Sequence, residues 1–175
     1  INKKTLYILG SFVLIFCFAY IIFIKYGRLY NFAEKYDINF MSRLGAYLYF
    51  EQDYTISIFF MGKGLGFVVN KLALAGNSLF GIADLHNDIL KFYIELGFIM
   101  TILLFANYLI FQTRRLINKF DDKVAVLYFM LTLYTFIIFA TDNIARYLHY
   151  NLVFTMIPYV YTLINIEKLN NEIIS

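Results

Sequence analysis

An all-helical integral membrane protein is the fold class that three features of this 175-residue chain predict. Hydrophobic residues make up 61% of it, charged residues only 15%, and several uncharged apolar runs approach the length of a bilayer crossing. Soluble domains hold about 45–50% apolar and about 25% charged residues, so the departure in both directions is what lipid-facing helices produce. The mean hydropathy of +0.66 agrees. Disordered, collagen-like and coiled-coil classes are excluded with it. The net charge of +3 is small and its basic residues flank apolar segments, which gives no support for nucleic-acid binding. Cys17 lies inside an apolar run, and two histidines supply neither a structural zinc set nor, with one cysteine, a disulfide framework.

Each span follows from the roughly 20 apolar residues needed to cross about 30 Å at about 1.5 Å per residue. Four stretches qualify: residues 5–24, 94–111, 124–140 and 151–166, the last carrying Pro158. The first is too long and lacks the cleavage pattern of a signal peptide, so it is expected to stay in the membrane. With Ile at position 1, the chain reads as the downstream part of a longer polytopic bundle, a single membrane domain over residues 1–175. Lys3 and Lys4 precede the first span, and Arg114, Arg115, Lys119 and Lys123 fill the connection 112–123. Both termini, including the tail 167–175, therefore read as cytoplasmic. The large loop 25–91 and the short loop 141–150 then share the extracytoplasmic face.

Within the large loop, Phe40–Glu51 has a loose helical period. A β-branched and aromatic stretch, Tyr54–Phe60, follows and runs into Gly62-Lys63-Gly64-Leu65-Gly66. Closely spaced glycines let backbone N–H groups approach an anion, yet the spacing matches neither nucleotide fingerprint, and a plain glycine turn is the simpler reading. Asp84 is a candidate N-cap for a helix running from Leu85 into the second span, with His86, Asn87 and Asp88 in its first turn. At about 100° per residue His86, Leu90, Tyr93 and Gly97 share a face, with Glu95 opposite His86. Gly97 would let another helix approach closely. A histidine at the positive end of a helix dipole is kept neutral and available as a base, although capping or hydrogen bonding is its more ordinary employment. Arg28 and Arg43 offer the donor fork that suits phosphate oxygens, Arg43 being the better candidate because Arg28 lies close to a span end. Asp142 and Arg146 have the spacing of an i,i+4 tether.

An arginine in the loop, a GxGxG turn, and His-Asn leading into a helix with Glu-Leu-Gly together resemble the O-antigen polymerase (Wzy-type) and O-antigen ligase family. His86-Asn87, nine intervening residues and Gly97 match its His-Asn signature, while Met100 stands where a small or hydroxyl residue is expected, a departure that leans toward the polymerase branch. The resemblance covers about residues 43–100. It implies a multi-pass protein of a bacterial cytoplasmic membrane that takes polyprenyl-diphosphate-linked oligosaccharides, acts with other polysaccharide assembly proteins, and needs no cofactor. His86 would be the general base on the acceptor hydroxyl and Arg43 the neutraliser of the leaving diphosphate. Arg28, Lys63, Asn87, Tyr93 and the glycines Gly62, Gly64 and Gly66 are the candidate substrate contacts. Polymerase and ligase stay open, as does a structural membrane subunit. Transport is disfavoured because the expected spans carry no ionisable residue at their centres.

Overall fold

The computed structural model describes residues 3–40, 43–75, 84–119 and 122–146, together with Met156, Val160 and Leu163. Among the described residues all regular structure is helical. Three helical stretches are long and apolar enough to cross a membrane: Lys3–Lys25, Asp88–Asn118 and Asp122–Thr141. The expected fourth span, 151–166, lies outside the described residues except for Met156, Val160 and Leu163, and so does the tail 167–175.

Helix α1 (Lys3–Lys25) buries Leu6, Gly10, Cys17, Ile21 and Ile24 along one stripe, while Ile8, Phe12, Ile15 and Phe16 are exposed. Its last residue, Lys25, complements the negative end of the helix dipole. Helix α2 (Arg28–Lys35) and helix α3 (Arg43–Tyr49) follow, and α4 (Phe67–Ala75) succeeds the glycine turn. Helix α5 (Asp88–Ala106) continues through a wider π turn at Asn107–Phe111 into α6 (Gln112–Lys119). The sequence suggests a plain connection over 112–123, but helix-forming Gln, Arg and Lys, with Thr113, Leu116 and Ile117 facing inward, prolong the helix. Helix α7 (Asp122–Thr141) returns antiparallel, and Phe105–Phe136 at 5.0 Å and Phe92–Phe139 at 5.7 Å pack it edge-on against α5.

The second span departs from a straight helix. Gly97 has φ 79° and ψ −177°, so α5 is two helical pieces joined by one extended residue. Such a break frees carbonyls before it and N–H groups after it, which must find partners away from water. The glycine turn supplies them. Lys63 N donates to Ile94 O at 2.8 Å, Gly64 N to Glu95 O at 3.0 Å, and Phe98 N to Phe60 O at 2.9 Å. The Thr101 hydroxyl donates to Phe92 O at 3.2 Å. Gly97 therefore admits a loop, not the second helix that its position on a helical face suggests. A Cβ on Gly97 would lie 2.3 Å from Phe60 O, and one on Gly62 would lie 2.5 Å from Glu95 O.

Gly97→Ala and Gly62→Ala combine left-handed strain with a backbone clash, and each should cost about 3 kcal/mol or more. Gly27, also left-handed at φ 65° but with open space around it, should lose only about 1 kcal/mol as Ala. Thermal midpoints of the three variants in one detergent check the difference.

Candidate functional site

The polar residues gather where α5 begins and α7 ends. Helix α5 is capped by Asn87, whose Oδ1 accepts from Leu90 N at 3.0 Å, and not by Asp84 as the sequence suggests. His86 therefore lies outside the helix, in the left-handed region at φ 50°, and the first-turn placement expected of it does not hold. A non-glycine residue there is uncommon and is held only where its surroundings fix it. Three bonds do so. Asp88 N donates to Asp142 O at 3.3 Å, Asp88 Oδ2 accepts from Ala145 N at 2.8 Å, and His86 Nδ1 lies 3.1 Å from Asp142 Oδ1.

Because a carboxylate only accepts, a neutral His86 must donate through Nδ1, leaving the lone pair on Nε2. Asp142, half-exposed, is held below the usual carboxylate range by that bond first and by the Asn143 N–H second. Arg43, at the start of α3, donates from Nη1 to Thr141 O at 2.8 Å. Arg43 and His86, from separate elements, are thus fastened to consecutive residues at the end of α7. Asn87 Nδ2 donates to the Tyr20 hydroxyl at 3.2 Å, which donates to Ala140 O at 3.0 Å. The Tyr47 hydroxyl joins Asn87 and Tyr20, and burial pushes its phenol up, so it stays neutral.

Beneath the corner Asp84 and Lys91 form a buried pair, with Lys91 Nζ 2.9 Å from Asp84 Oδ2 while Asp84 Oδ1 accepts from Leu85 N at 2.8 Å. This pair straps the turn carrying His86 back onto α5. The other candidates fall elsewhere. Gly62, Lys63, Gly64 and Gly66 belong to the loop that pairs with Ile94–Phe98, about 12 Å along the helix from Asn87. Lys63 is exposed there, and Arg28 is exposed at the start of α2. Tyr93, a candidate platform for a sugar, is fully buried among Phe18, Tyr54 and Phe60, with its hydroxyl given to Thr55 O at 2.8 Å. Glu95 is also buried and accepts from Val68 N in the first turn of α4 at 3.1 Å. The expected Asp142–Arg146 tether involves a side chain outside the described part of the structure; Asp142 pairs with His86. Sequence reading misses Tyr20 and Tyr47, which look like ordinary membrane aromatics, and misses Asp142 as a partner of His86. Among the described residues no three His, Cys, Asp or Glu side chains converge as a metal site requires.

Replacing Lys91 by Met takes the ammonium away from the Asp84 carboxylate, 1% exposed, and should cost about 3–5 kcal/mol, whereas adding Asp84→Leu should recover much of the loss; denaturation in detergent measures each. Since the Asp142 carboxyl titrates lower in the folded state, its contribution is present above the ordinary carboxylate value and is lost as pH falls through the folded one. Thermal midpoints of wild type and Asp142→Asn should therefore differ near neutrality and converge in acid.

No protein-family model matches the chain, and neither a curated protein nor a solved structure matches it.

Proposed function

We propose that the chain is part of a membrane glycosyltransferase that joins polyprenyl-diphosphate-linked oligosaccharide repeat units into a surface polysaccharide, with its site on the extracytoplasmic face of a bacterial cytoplasmic membrane. The observation that carries this reading is the convergence of Arg43 and His86 on Thr141 and Asp142, at 2.8 and 3.1 Å. A base oriented by a carboxylate and a guanidinium with donors to spare are the two groups the transfer needs. The resemblance of the segment 43–100 to the Wzy-type polymerases supplies the substrate class.

In this reaction the acceptor hydroxyl attacks the anomeric carbon as its proton passes to His86 Nε2. The new C–O bond forms opposite the breaking one, so the anomeric centre inverts. The diphosphate leaves with the bonding electron pair, and Arg43 offsets its charge through the N–H groups that Thr141 does not use. Asp142 is a positioning residue: it fixes the tautomer of His86 and stabilises the imidazolium formed. Asn87 holds the entry of α5 and does not contact the reacting atoms. The main role of the glycine turn is to shape the loop, with direct contact to the diphosphate secondary.

The test replaces His86 or Arg43 by Ala in the intact gene, in a strain lacking the native copy, with membrane levels matched. General-base catalysis contributes about 10²–10⁴-fold, so the polysaccharide ladder of His86→Ala should collapse to a single repeat unit. Long free polymer lacking its lipid anchor would identify a ligase. An unchanged ladder would sink the general-base assignment.

A further inference from the structure

The loop between α3 and α4 carries a group of side chains that the reaction does not use. Ile58, Phe59, Met61 and Leu65 are large and apolar, and Phe59, Met61 and Leu65 are 82%, 80% and 78% exposed. Three residues of this kind within one short loop are costly to leave in water. The same loop has its backbone bonded to α5 at Ile94, Glu95 and Phe98, so it is held rigidly with these side chains turned away from the protein.

Both limbs of the loop are pinned by lysines at its mouth. Lys25 Nζ donates to Tyr54 O at 2.9 Å and to Glu51 O, and lies 4.7 Å from the centre of the Tyr54 ring. Lys71 on α4 pairs with Asp53 and lies over the ring of Tyr49 at 4.6 Å. Between these anchors the chain descends to the glycine turn and climbs back through the first turns of α4, about 7 Å from Gly66 to Lys71.

Helix α1 gives an independent measure of that depth. The Gly10 Cβ position lies 3.1 Å from Leu109 O, which sets the register of α1 against the second span. From there Lys25 is about 22 Å along α1, and Phe98 about 16 Å along the antiparallel neighbour. Phe98, bonded to Phe60, therefore lies about 6 Å short of the Lys25 level. The contact of its ring with Phe18 at 5.1 Å, seven residues inside Lys25, places it about 10 Å short.

We infer that the segment 55–66 is a wedge inserted into the leaflet on the His86 side of the membrane, where Phe59, Met61 and Leu65 contact lipid acyl chains. A depth of about 6–10 Å matches the headgroup and acyl boundary that amphipathic interfacial elements occupy. Irregular backbone is tolerated at such depth only when its hydrogen bonds are made within the protein, and the pairing with the broken helix at Gly97 makes them. Lys63 sits exposed in the same turn, and its stem is long enough for the ammonium to reach headgroup phosphates. The wedge is independent of the transferase chemistry: it rests on where the loop lies and what it exposes.

The 175 residues hold no tryptophan, so each substitution adds a fluorophore at one known position, read as the difference from the parent protein. Phe59→Trp and Leu65→Trp, with Tyr36→Trp at the exposed end of α2 as the aqueous reference, are reconstituted as the full chain into phosphatidylcholine–phosphatidylglycerol vesicles. The lipids carry bromine near the headgroup end or near the methyl end of the acyl chain. Phe59→Trp and Leu65→Trp should emit toward the blue, lose most of their intensity to the shallow bromine and little to the deep bromine, and resist aqueous iodide. Tyr36→Trp should show the reverse toward iodide. Quenching of the Phe59→Trp and Leu65→Trp variants by iodide would place the loop in water and overturn the wedge. Blue emission quenched by neither agent would also overturn it, by showing that protein covers the loop. Either outcome leaves the His86 ladder experiment untouched, so the two proposals fail separately.

Discussion

Gly97 and the loop that meets it set the geometry of everything above them. A continuous α5 would satisfy the Ile94 and Glu95 carbonyls and the Phe98 N–H within its own turns. With one extended residue at Gly97 the piece Asp88–Leu96 takes its own direction, and Asp88 N reaches Asp142 O while Phe92 still packs on Phe139. The break strands a set of backbone groups in an apolar layer, each costing several kcal/mol if left alone. The segment Phe60–Gly64 offsets that cost with three backbone bonds, and only a residue without a side chain fits at each side of the contact. The backbone of the turn thus serves as the partner that the broken helix needs.

Above the break, charge is placed to hold geometry. The Asp84–Lys91 pair is nearly sealed from solvent, and a sealed pair fixes geometry more than it adds stability. What it fixes is the turn holding His86 at a backbone angle that histidine seldom takes. Asp142 works at the open side of the corner, half-exposed, and there it orients the imidazole. Arg43 arrives from a separate helix and anchors to a neutral carbonyl, with its positive charge close enough to the Asp142 carboxylate to help hold that group ionised.

The apolar stretches are readable because membrane helices are marked by length and composition, and α1 and α7 follow directly from them. His86, Asn87 and Arg43 stand out in the sequence as chemistry-bearing residues, yet their placement does not. Asp84, Asn87 and Asp88 are all competent N-caps, and nothing local to the sequence ranks them, so a start at Asp84 falls three residues early and puts His86 in the first turn. Gly97 is recognisable as a point of close approach, but helical periodicity assumes an unbroken helix and so assigns it the wrong partner. The same assumption puts Tyr93 and His86 on one open face, whereas Tyr93 is walled in by aromatic rings. Asp142 and Tyr20 meet the site only through the fold, from 56 and 67 positions away, and no spacing rule reaches that far.

The hydrogen bonds around Asn87 run in one sense only. Leu90 N donates to its Oδ1, its Nδ2 donates to the Tyr20 hydroxyl, and that hydroxyl donates to Ala140 O. The Tyr20 proton is committed to Ala140 O, so a flipped Asn87 amide would set donor against donor at Leu90 N and acceptor against acceptor at the Tyr20 hydroxyl. The relay ties α1 to the entry of α5 and to the end of α7 at one level, so α1 cannot slide or tilt away without breaking its links to both neighbours. A movement of α1 at this corner consequently breaks both links at once, because both pass through the one hydroxyl of Tyr20.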